Sequence, residues 1–183
     1  MAHRYAAIAF TPQVRAVQDK LSSRKSYARM DDGEARGHVL EQDETDFIAS
    51  QESFYMATVG ATGWPYVQHR GGPVGLVQAL DATIIGFADF RGNRQYISVG
   101  NLTTDDRVSL FSMDYVNRRR LKLFGRAAMI GAERQDLLGR LELPGYRARV
   151  ERGVIITVEA FDWNCPQHIT PRYTLAEMEV LPR

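Results

Sequence analysis

Residues 54–73 read FYMATVGATGWPYVQHRGGP, and this run sets the architecture predicted for the whole chain. Its first six residues, 54–59, are rich in the aromatic and β-branched side chains that favour β-strands. The glycine-containing segment 60–63 then indicates a turn, and residues 64–69 return to an extended pattern. The run therefore predicts a β-hairpin that ends in two glycines and a proline.

Further strand-like segments follow the hairpin at short intervals. They are predicted at residues 76–79, 83–88, 108–115, 121–130 and 154–160. Many short strands joined by hairpin-length connections are typical of a meandering barrel rather than of a parallel sheet. Two helices are predicted between the strands, at residues 94–102 and 134–141. The predicted fold class is therefore mainly β with α, an α+β protein.

The part of the chain before the hairpin has a helical pattern instead. Thr11 and Pro12 resemble an N-cap followed by proline at the first helical position, and apolar residues then recur at helical spacing. A second helix is predicted at residues 43–51. We therefore expect an N-terminal helical arm at residues 1–53 and a barrel domain at residues 54–183.

The composition argues against several classes of protein. The chain has 183 residues, a net charge of +1 and one cysteine, Cys165. A near-neutral chain offers no general attraction to nucleic acid, and one cysteine cannot form an intramolecular disulfide. No apolar run approaches the roughly 18–20 residues of a transmembrane helix, and the N-terminus is a poor signal peptide. We expect a cytoplasmic protein that binds neither nucleic acid nor a membrane.

The end of the hairpin carries the first candidate binding residues. The strand delivers Gln68, His69 and Arg70, and Gly71 and Gly72 follow. Glycines permit close approach of the backbone to a ligand, and arginine offers a fork of donors to an anion. The same residues also suit a plain strand end, with a turn and a solvated arginine.

A second candidate segment lies where a later strand ends. It comprises Ala88, Asp89, Asn93, Arg94 and Gln95. Asparagine is a good N-cap, so we expect a helix to begin near Asn93, where backbone N–H groups would attract phosphate. Arg94 adds positive charge at that point. A surface turn with solvated arginines fits the pattern equally well.

Residues 118–120 are three consecutive arginines at the predicted start of a strand. Alternation along the strand would send Arg118 and Arg120 to one face and Arg119 to the other. One of them could enter an anion site, or all three could be solvated on a hairpin. Lys122 is a fourth basic residue in this segment, but four basic residues in a near-neutral chain do not indicate a nucleic-acid patch.

The segment from Trp163 to His168 follows the last predicted strand. Cys165 and His168 have the spacing of a metal-ligand pair, but no second pair lies nearby in the sequence. No third group is identifiable that would orient them as a catalytic pair. Trp163 could lie against a planar ligand or be buried in the core.

Taken in order, these segments resemble the FMN-binding core of pyridoxamine 5′-phosphate oxidase and its relatives, over residues 54–130. Residues 63–66 match the Pro-Tyr element that leads, in that family, into the first flavin-contacting strand. Residues 104–111 echo the family's Asn-Pro-x-Val-x-Leu-x-Phe pattern, and residues 119–125 echo its Arg-Gln-Val-x-Val-x-Gly strand.

The resemblance implies a split β-barrel of the FMN-binding type, with peripheral helices, that works as a homodimer with flavin sites at the subunit interface. It implies that Arg70, Asn93 and Arg94 position the FMN phosphate, and that Arg120 from the partner subunit faces the N1/O2 end of the ring. The cofactor-binding residues implied in this way are Gln68, His69, Arg70, Gly71, Gly72, Ala88, Asp89, Asn93, Arg94, Gln95, Arg120 and Trp163.

Departures from the family pattern separate this chain from pyridoxamine 5′-phosphate oxidase itself. The family's phosphate-binding Arg-Lys pair is Arg94-Gln95 in this chain. The strand that carries an arginine at its start and a lysine at its end has Gln68 and Pro73 in those places. We therefore expect an FMN-dependent oxidoreductase acting on an unidentified small molecule, with no catalytic residue assigned. The alternatives are a non-catalytic FMN or haem binding or storage protein, and a deazaflavin-dependent reductase.

Overall fold

Seven β-strands form the body of the molecule, as shown by a computed structural model that describes residues 3–32 and 36–179. The strands are β1 (Ser53–Val59), β2 (Pro65–Gly71), β3 (Val77–Ala79), β4 (Ile84–Phe90), β5 (Arg107–Asp114), β6 (Arg119–Ile130) and β7 (Val150–Trp163). They make one antiparallel sheet in the order β2-β1-β5-β6-β7-β4-β3. The predicted hairpin is the pair β1 and β2, whose register runs from Ser53–Gly71 to Val59–Pro65.

Short helices surround the sheet. They are α1 (Arg4–Ala9), α2 (Pro12–Lys20), α3 (Arg24–Tyr27), α4 (Gln42–Ala49), α5 (Ile97–Asn101), α6 (Gln135–Leu141) and α7 (Leu175–Glu179). The Thr11 side chain accepts a hydrogen bond from the Val14 amide at 3.3 Å, and Pro12 opens α2, as the sequence predicts. None of the described helices has both the length and the apolar character required to cross a membrane.

The sheet is curled around its apolar core. Alternate residues of β1 are buried, and Phe54 meets Phe87 of β4 edge to face with ring centroids 5.1 Å apart. β1 and β4 are separated by three strands in the sheet order, so this contact requires the sheet to bend back on itself. The predicted fold class, a mainly β split barrel with peripheral helices, is confirmed.

Two helices of the predicted arm pack against the barrel. In α1, Tyr5 stacks on Phe124 of β6 at 4.9 Å, and Arg4 forms an ion pair with Glu159 of β7 at 2.9 Å. In α4, Phe47 and Ile48 are buried in the main core. The arm therefore packs on the outside of the barrel through α1 and contributes side chains to its core through α4.

One predicted helix begins later than expected. The helix predicted at residues 94–102 is α5, which starts at Ile97, so Asn93 is not its N-cap. The Asn93 side chain instead accepts a hydrogen bond from the Gln95 amide at 3.2 Å, which closes a local turn. Arg94 and Tyr96 adopt left-handed conformations, with φ of 58° and 53°, and these prevent the helix from starting earlier.

Arg118 also differs from its prediction. It has a φ of 52° and lies in the turn between β5 and β6, outside the strand. Strand alternation therefore applies only to Arg119 and Arg120, which point to opposite faces of the sheet.

We expect Gly125→Ala to destabilise the fold by about 1–3 kcal/mol, because a Cβ at this buried strand position would overpack the core. That atom would lie 2.5 Å from Ile156 Cγ2 and 2.7 Å from the Thr157 carbonyl oxygen, beside the irregularity in the β6–β7 pairing. Urea unfolding followed by circular dichroism measures the change.

Gly139→Ala is the matched control for that substitution. Gly139 is exposed on α6, and a Cβ there would meet nothing within 4 Å. This variant should be neutral or stabilised by up to about 1 kcal/mol, because alanine is the better helix former. Equal stability of the two variants would contradict the packing described for Gly125.

Candidate functional site

A pocket lies where β2 and the end of β4 face each other across the opening of the curled sheet. It has a volume of about 210 Å³. The loop at residues 91–96 and the start of α5 close its other sides. We call it the seam pocket, and it is lined by Tyr66, Gln68, Arg70, Asp89, Phe90, Gly92, Asn93, Arg94, Gln95, Tyr96, Ile97, Ser98, Val99 and Glu151.

The alternation of β2 decides which of its side chains reach this pocket. Tyr66, Gln68 and Arg70 are half-buried and line it, whereas Val67 and His69 are exposed on the other face of the strand. Successive side chains of a strand point to opposite faces, so adjacent residues of the sequence motif are separated. Of the residues singled out from the sequence, Gln68 and Arg70 therefore line the pocket, whereas the His69 side chain lies outside it.

Arg70 forms the central interaction of the seam pocket. Its guanidinium donates to Asp89 Oδ1 at 2.5 Å and lies 5.2 Å from the ring centroid of Phe87. Both side chains of the ion pair are largely buried, at 13% and 12% exposure. The Nε of Arg70 is also buried and has no hydrogen-bond partner among the described residues. A buried donor without an acceptor costs free energy, so this N–H is available to a bound ligand.

Asp89 also connects Arg70 to a second group of charged side chains. Its other carboxylate oxygen lies 3.6 Å from Arg152, the residue opposite it in the β4–β7 register. Arg152 also pairs with Glu151 at 2.8 Å, and Glu151 accepts a hydrogen bond from the Tyr96 hydroxyl at 3.2 Å. Both carboxylates of the site are thereby neutralised within the chain.

A buried hydroxyl joins α5 to the hairpin. Ser98 is 2% exposed and donates to the side-chain oxygen of Gln68 at 3.0 Å. This bond fixes the first turn of α5 against β2. It also sets the orientation of the Gln68 amide, whose NH₂ group is the remaining donor.

Arg94 lies at the mouth of the seam pocket. It is exposed, and its guanidinium forms no ion pair within the part of the chain that the structure describes. The turn closed by Asn93 and Gln95 carries it to the rim. Asn93, Arg94 and Gln95 therefore reach the site from a loop, and not from a helix start as predicted.

Sequence reasoning missed several lining residues. Tyr96 and Ser98 carry no motif. Glu151 lines the pocket and its neighbour Arg152 pairs with Asp89, and both come from the start of β7, some 60 residues after β4 in the chain. Only the pairing register between β4 and β7 brings the last two beside Asp89. The sequence signal for them is the charged pair that directly precedes the apolar run 154–156.

Other predicted site residues lie elsewhere. Ala88 is buried in β4, and Gly72 packs near Leu76 and Phe90. Gly71 lies beside the His69 side chain at the end of β2. None of the three lines the seam pocket among the described residues.

Trp163 packs against α4 and away from the seam pocket. Its Nε1 donates to Glu44 at 2.7 Å, its ring meets Phe47 edge to face, and the Arg119 guanidinium lies 4.3 Å from its ring centroid. These contacts occupy the indole within one chain. The structure therefore does not bring Trp163 to the seam pocket.

Arg120, Cys165 and His168 also lie outside the seam pocket. Arg120 and His168 line a separate cavity, and Cys165 is exposed. Within the described residues no group of three or more metal-type ligands forms, so Cys165 and His168 have no partners for a metal site. The position of Arg120 relative to a partner subunit stays a prediction.

Comparison with known proteins assigns a family to this fold. The family model described as pyridoxamine 5′-phosphate oxidase matches residues 40–151. A comparison with curated proteins found no match.

Several solved structures share the fold at low identity. A candidate pyridoxamine 5′-phosphate oxidase from Lactobacillus delbrueckii is 18% identical, with a TM-score of 0.51 over 68% of this chain and 94% of its own. HupZ from Group A Streptococcus is 17% identical, with a TM-score of 0.50 over 73% and 99%. An FMN-binding protein from Syntrophomonas wolfei is 14% identical, with a TM-score of 0.51 over 84% and 95%. These likenesses show a common fold.

We expect Asp89→Ala to destabilise the protein by about 3–5 kcal/mol, because it leaves two largely buried arginines without their carboxylate. Chemical denaturation measures the difference. Asp136→Ala removes an exposed partner of Arg134 and serves as the control, with an expected stability close to that of the wild type. Wild-type stability of Asp89→Ala would contradict the role given to this ion pair.

Proposed function

Since the chain belongs to the pyridoxamine 5′-phosphate oxidase family, we propose that it is an FMN-binding oxidoreductase that holds the FMN phosphate in the seam pocket. The observation that carries the proposal is the buried Nε of Arg70, which has no hydrogen-bond partner among the described residues and shares the seam pocket with Arg94. A phosphate presents several strong acceptor oxygens, and arginine is the side chain best suited to bind them.

The charges around the pocket fit an anion. Four guanidinium groups, those of Arg70, Arg91, Arg94 and Arg152, accompany the two carboxylates of Asp89 and Glu151. The carboxylates are already paired, so the balance of the site is positive. A phosphate dianion would neutralise it. The side-chain NH₂ groups of Asn93 and Gln68 supply further uncharged donors.

Bound FMN would supply hydride or electron transfer, and the protein would supply position and electrostatics. Arg70 would orient the phosphate from its ion pair with Asp89, and Arg94 would contact it from the rim. The backbone of residues 69–72 would border the ring, since this segment ends β2 next to the pocket. FMN is proposed as the ligand partly because the protein of the same fold from Syntrophomonas wolfei is an FMN-binding protein.

We also propose a homodimer. The outer face of the hairpin exposes large apolar side chains, with Val67 60% and Tyr55 40% accessible. Exposed apolar residues grouped on one sheet face are typical of an interface. β2 lies at the end of the sheet order, so its outer edge has no strand paired with it in the described chain.

We expect Arg94→Ala to weaken FMN binding by about 1.5–3 kcal/mol, the scale of one charged hydrogen bond. Quenching of FMN fluorescence on titration measures the dissociation constant. The control is Arg134→Ala. Arg134 is exposed and does not line the seam pocket, so this variant should bind FMN as the wild type does. A protein that ignores FMN, or an Arg94→Ala variant with wild-type affinity, would refute the phosphate site.

Catalysis is tested separately from binding. The FMN-loaded protein is mixed anaerobically with reduced nicotinamide, and an electron acceptor is then added. Bleaching and recovery of the flavin absorbance are expected of an oxidoreductase. Stable oxidised FMN under these conditions, with tight binding retained, would instead indicate a storage protein.

We expect Val67→Asp to yield a monomer, because a carboxylate placed on an apolar interface loses its hydration. Sedimentation velocity compares the mass with that of one 20.7 kDa chain. Val74→Asp is the control, since Val74 is similarly exposed, at 64%, but lies in the loop after β2. A wild-type protein that sediments as a monomer would contradict the dimer.

A further inference from the structure

The N-terminal arm contains a helix whose apolar side faces solvent. Val14 and Val17 of α2, with Leu21 that caps its end, are spaced so that they share one side of the helix. All three side chains are exposed, Leu21 at 70%. None of them belongs to the hydrophobic core of the described chain. We call these three residues the α2 stripe.

The side of α2 that faces the protein is polar. Gln18 is buried, and its side-chain oxygen accepts a hydrogen bond from Arg24 of α3 at 3.2 Å. Arg15 forms an ion pair with Asp31 at 2.9 Å. A surface helix normally turns its apolar side toward the core and its polar side toward water. Because α2 has the reverse arrangement, its apolar side is suited to packing against another molecule.

Positive charge is concentrated in the part of the chain that contains the α2 stripe. Residues 12–29 include five basic residues and one acidic residue, whereas the whole chain has a net charge of +1. Of these, Lys20, Lys25 and Arg29 are exposed and form no ion pair within residues 3–32 and 36–179. A surface that fits the α2 stripe should therefore combine apolar side chains with negative charge.

The C-terminal helix α7 has both of these properties. Leu175 and Met178 are exposed, Leu175 at 83%, and Glu177 and Glu179 lie beside them in the helix. The Thr174 amide donates to the Glu177 carboxylate at 2.7 Å, and the Glu177 amide donates to the Thr174 hydroxyl at 3.2 Å. This reciprocal cap forms the helix locally, so its apolar residues stay uncovered.

We propose that α7 of a second copy of the chain packs on the α2 stripe. Among the described elements, only α7 exposes two large apolar side chains together with an excess of acidic residues. Both surfaces are exposed within one chain, so a chain does not cover its own α2 with its own α7. In the contact, the apolar side chains of both helices leave water, and Lys20 and Glu179 attract each other.

The contact between α2 and α7 adds to the homodimer proposed above and rests on it. A stable interface buries about 800 Å² on each partner, which the few side chains of this contact do not reach alone. Twofold symmetry forms the contact twice, since each copy offers one α2 and one α7. Neither helix supplies a residue to the seam pocket, so FMN titration does not decide the outcome.

Cross-linking of engineered cysteines tests the contact. Cys165 is replaced by serine, Val17→Cys and Met178→Cys are introduced together, and a short bismaleimide is added at a concentration where the wild type is dimeric. We expect a covalent dimer on a denaturing gel from this variant, and monomers from each single-cysteine variant. Gly139→Cys combined with Met178→Cys is the matched control, since Gly139 is exposed on α6, and it should also give monomers.

The other results of this experiment overturn the proposal in different ways. A covalent dimer from Val17→Cys alone would place α2 against its own copy. Only monomers from the Val17→Cys and Met178→Cys combination, while the wild type sediments as a dimer, would reject the contact and leave the homodimer intact. A wild type that sediments as a monomer would reject the homodimer and the contact together.

Charge reversal gives a second readout without a cross-linker. Lys20→Glu and Glu179→Lys should each raise the dimer dissociation constant several-fold, and the two together should return it toward the wild-type value. Arg134→Glu, an exposed reversal elsewhere in the chain, should leave the constant unchanged. No recovery in the combined variant would overturn the pairing of α2 with α7. Pelleting of the wild type, but not of Leu21→Asp, with phosphatidylserine vesicles would overturn it in favour of a membrane surface.

Discussion

The ion pair between Arg70 and Asp89 joins the two parts of the sheet that the curl leaves unpaired by backbone hydrogen bonds. Hydrogen-bonded strands lie about 4.8 Å apart, whereas two side chains in contact hold their strands further apart, and the gap is the seam pocket. Both charges are largely removed from water, so neither tolerates the loss of its partner. Arg152 supports the same carboxylate from β7. The ion pair between Arg70 and Asp89 therefore fixes how far apart β2 and β4 lie, and with it the geometry of the site.

The hairpin that supplies Arg70 serves two surfaces at once. Its inward residues, Gln68 and Arg70, line the seam pocket, while Val67 and His69 lie on the outer face. On that outer face β1 also carries Tyr55, which lies opposite His69 in the register. Substitutions at neighbouring positions of one short strand can therefore affect different functions, because a strand alternates its side chains between faces.

Much of the fold could be predicted from the sequence, because its signals are local. The Gly-rich turn of the hairpin, the strand-length apolar runs and the cap at Thr11 all act within a few residues. Gln68, Arg70 and Asp89 could be singled out from the sequence for the same reason, and all three line the seam pocket. Glu151 and Arg152 were missed because their positions depend on pairing between strands far apart in sequence. The start of α5 was misplaced because the Asn93 side chain bonds within its own turn.

The single cysteine has a practical consequence. Cys165 is exposed, and it lies directly after the end of β7. A maleimide fluorophore would attach at this one position without any engineering of the chain. Emission from that dye would report on local polarity at the end of β7, so a molecule that covers this part of the surface could be followed optically in real time.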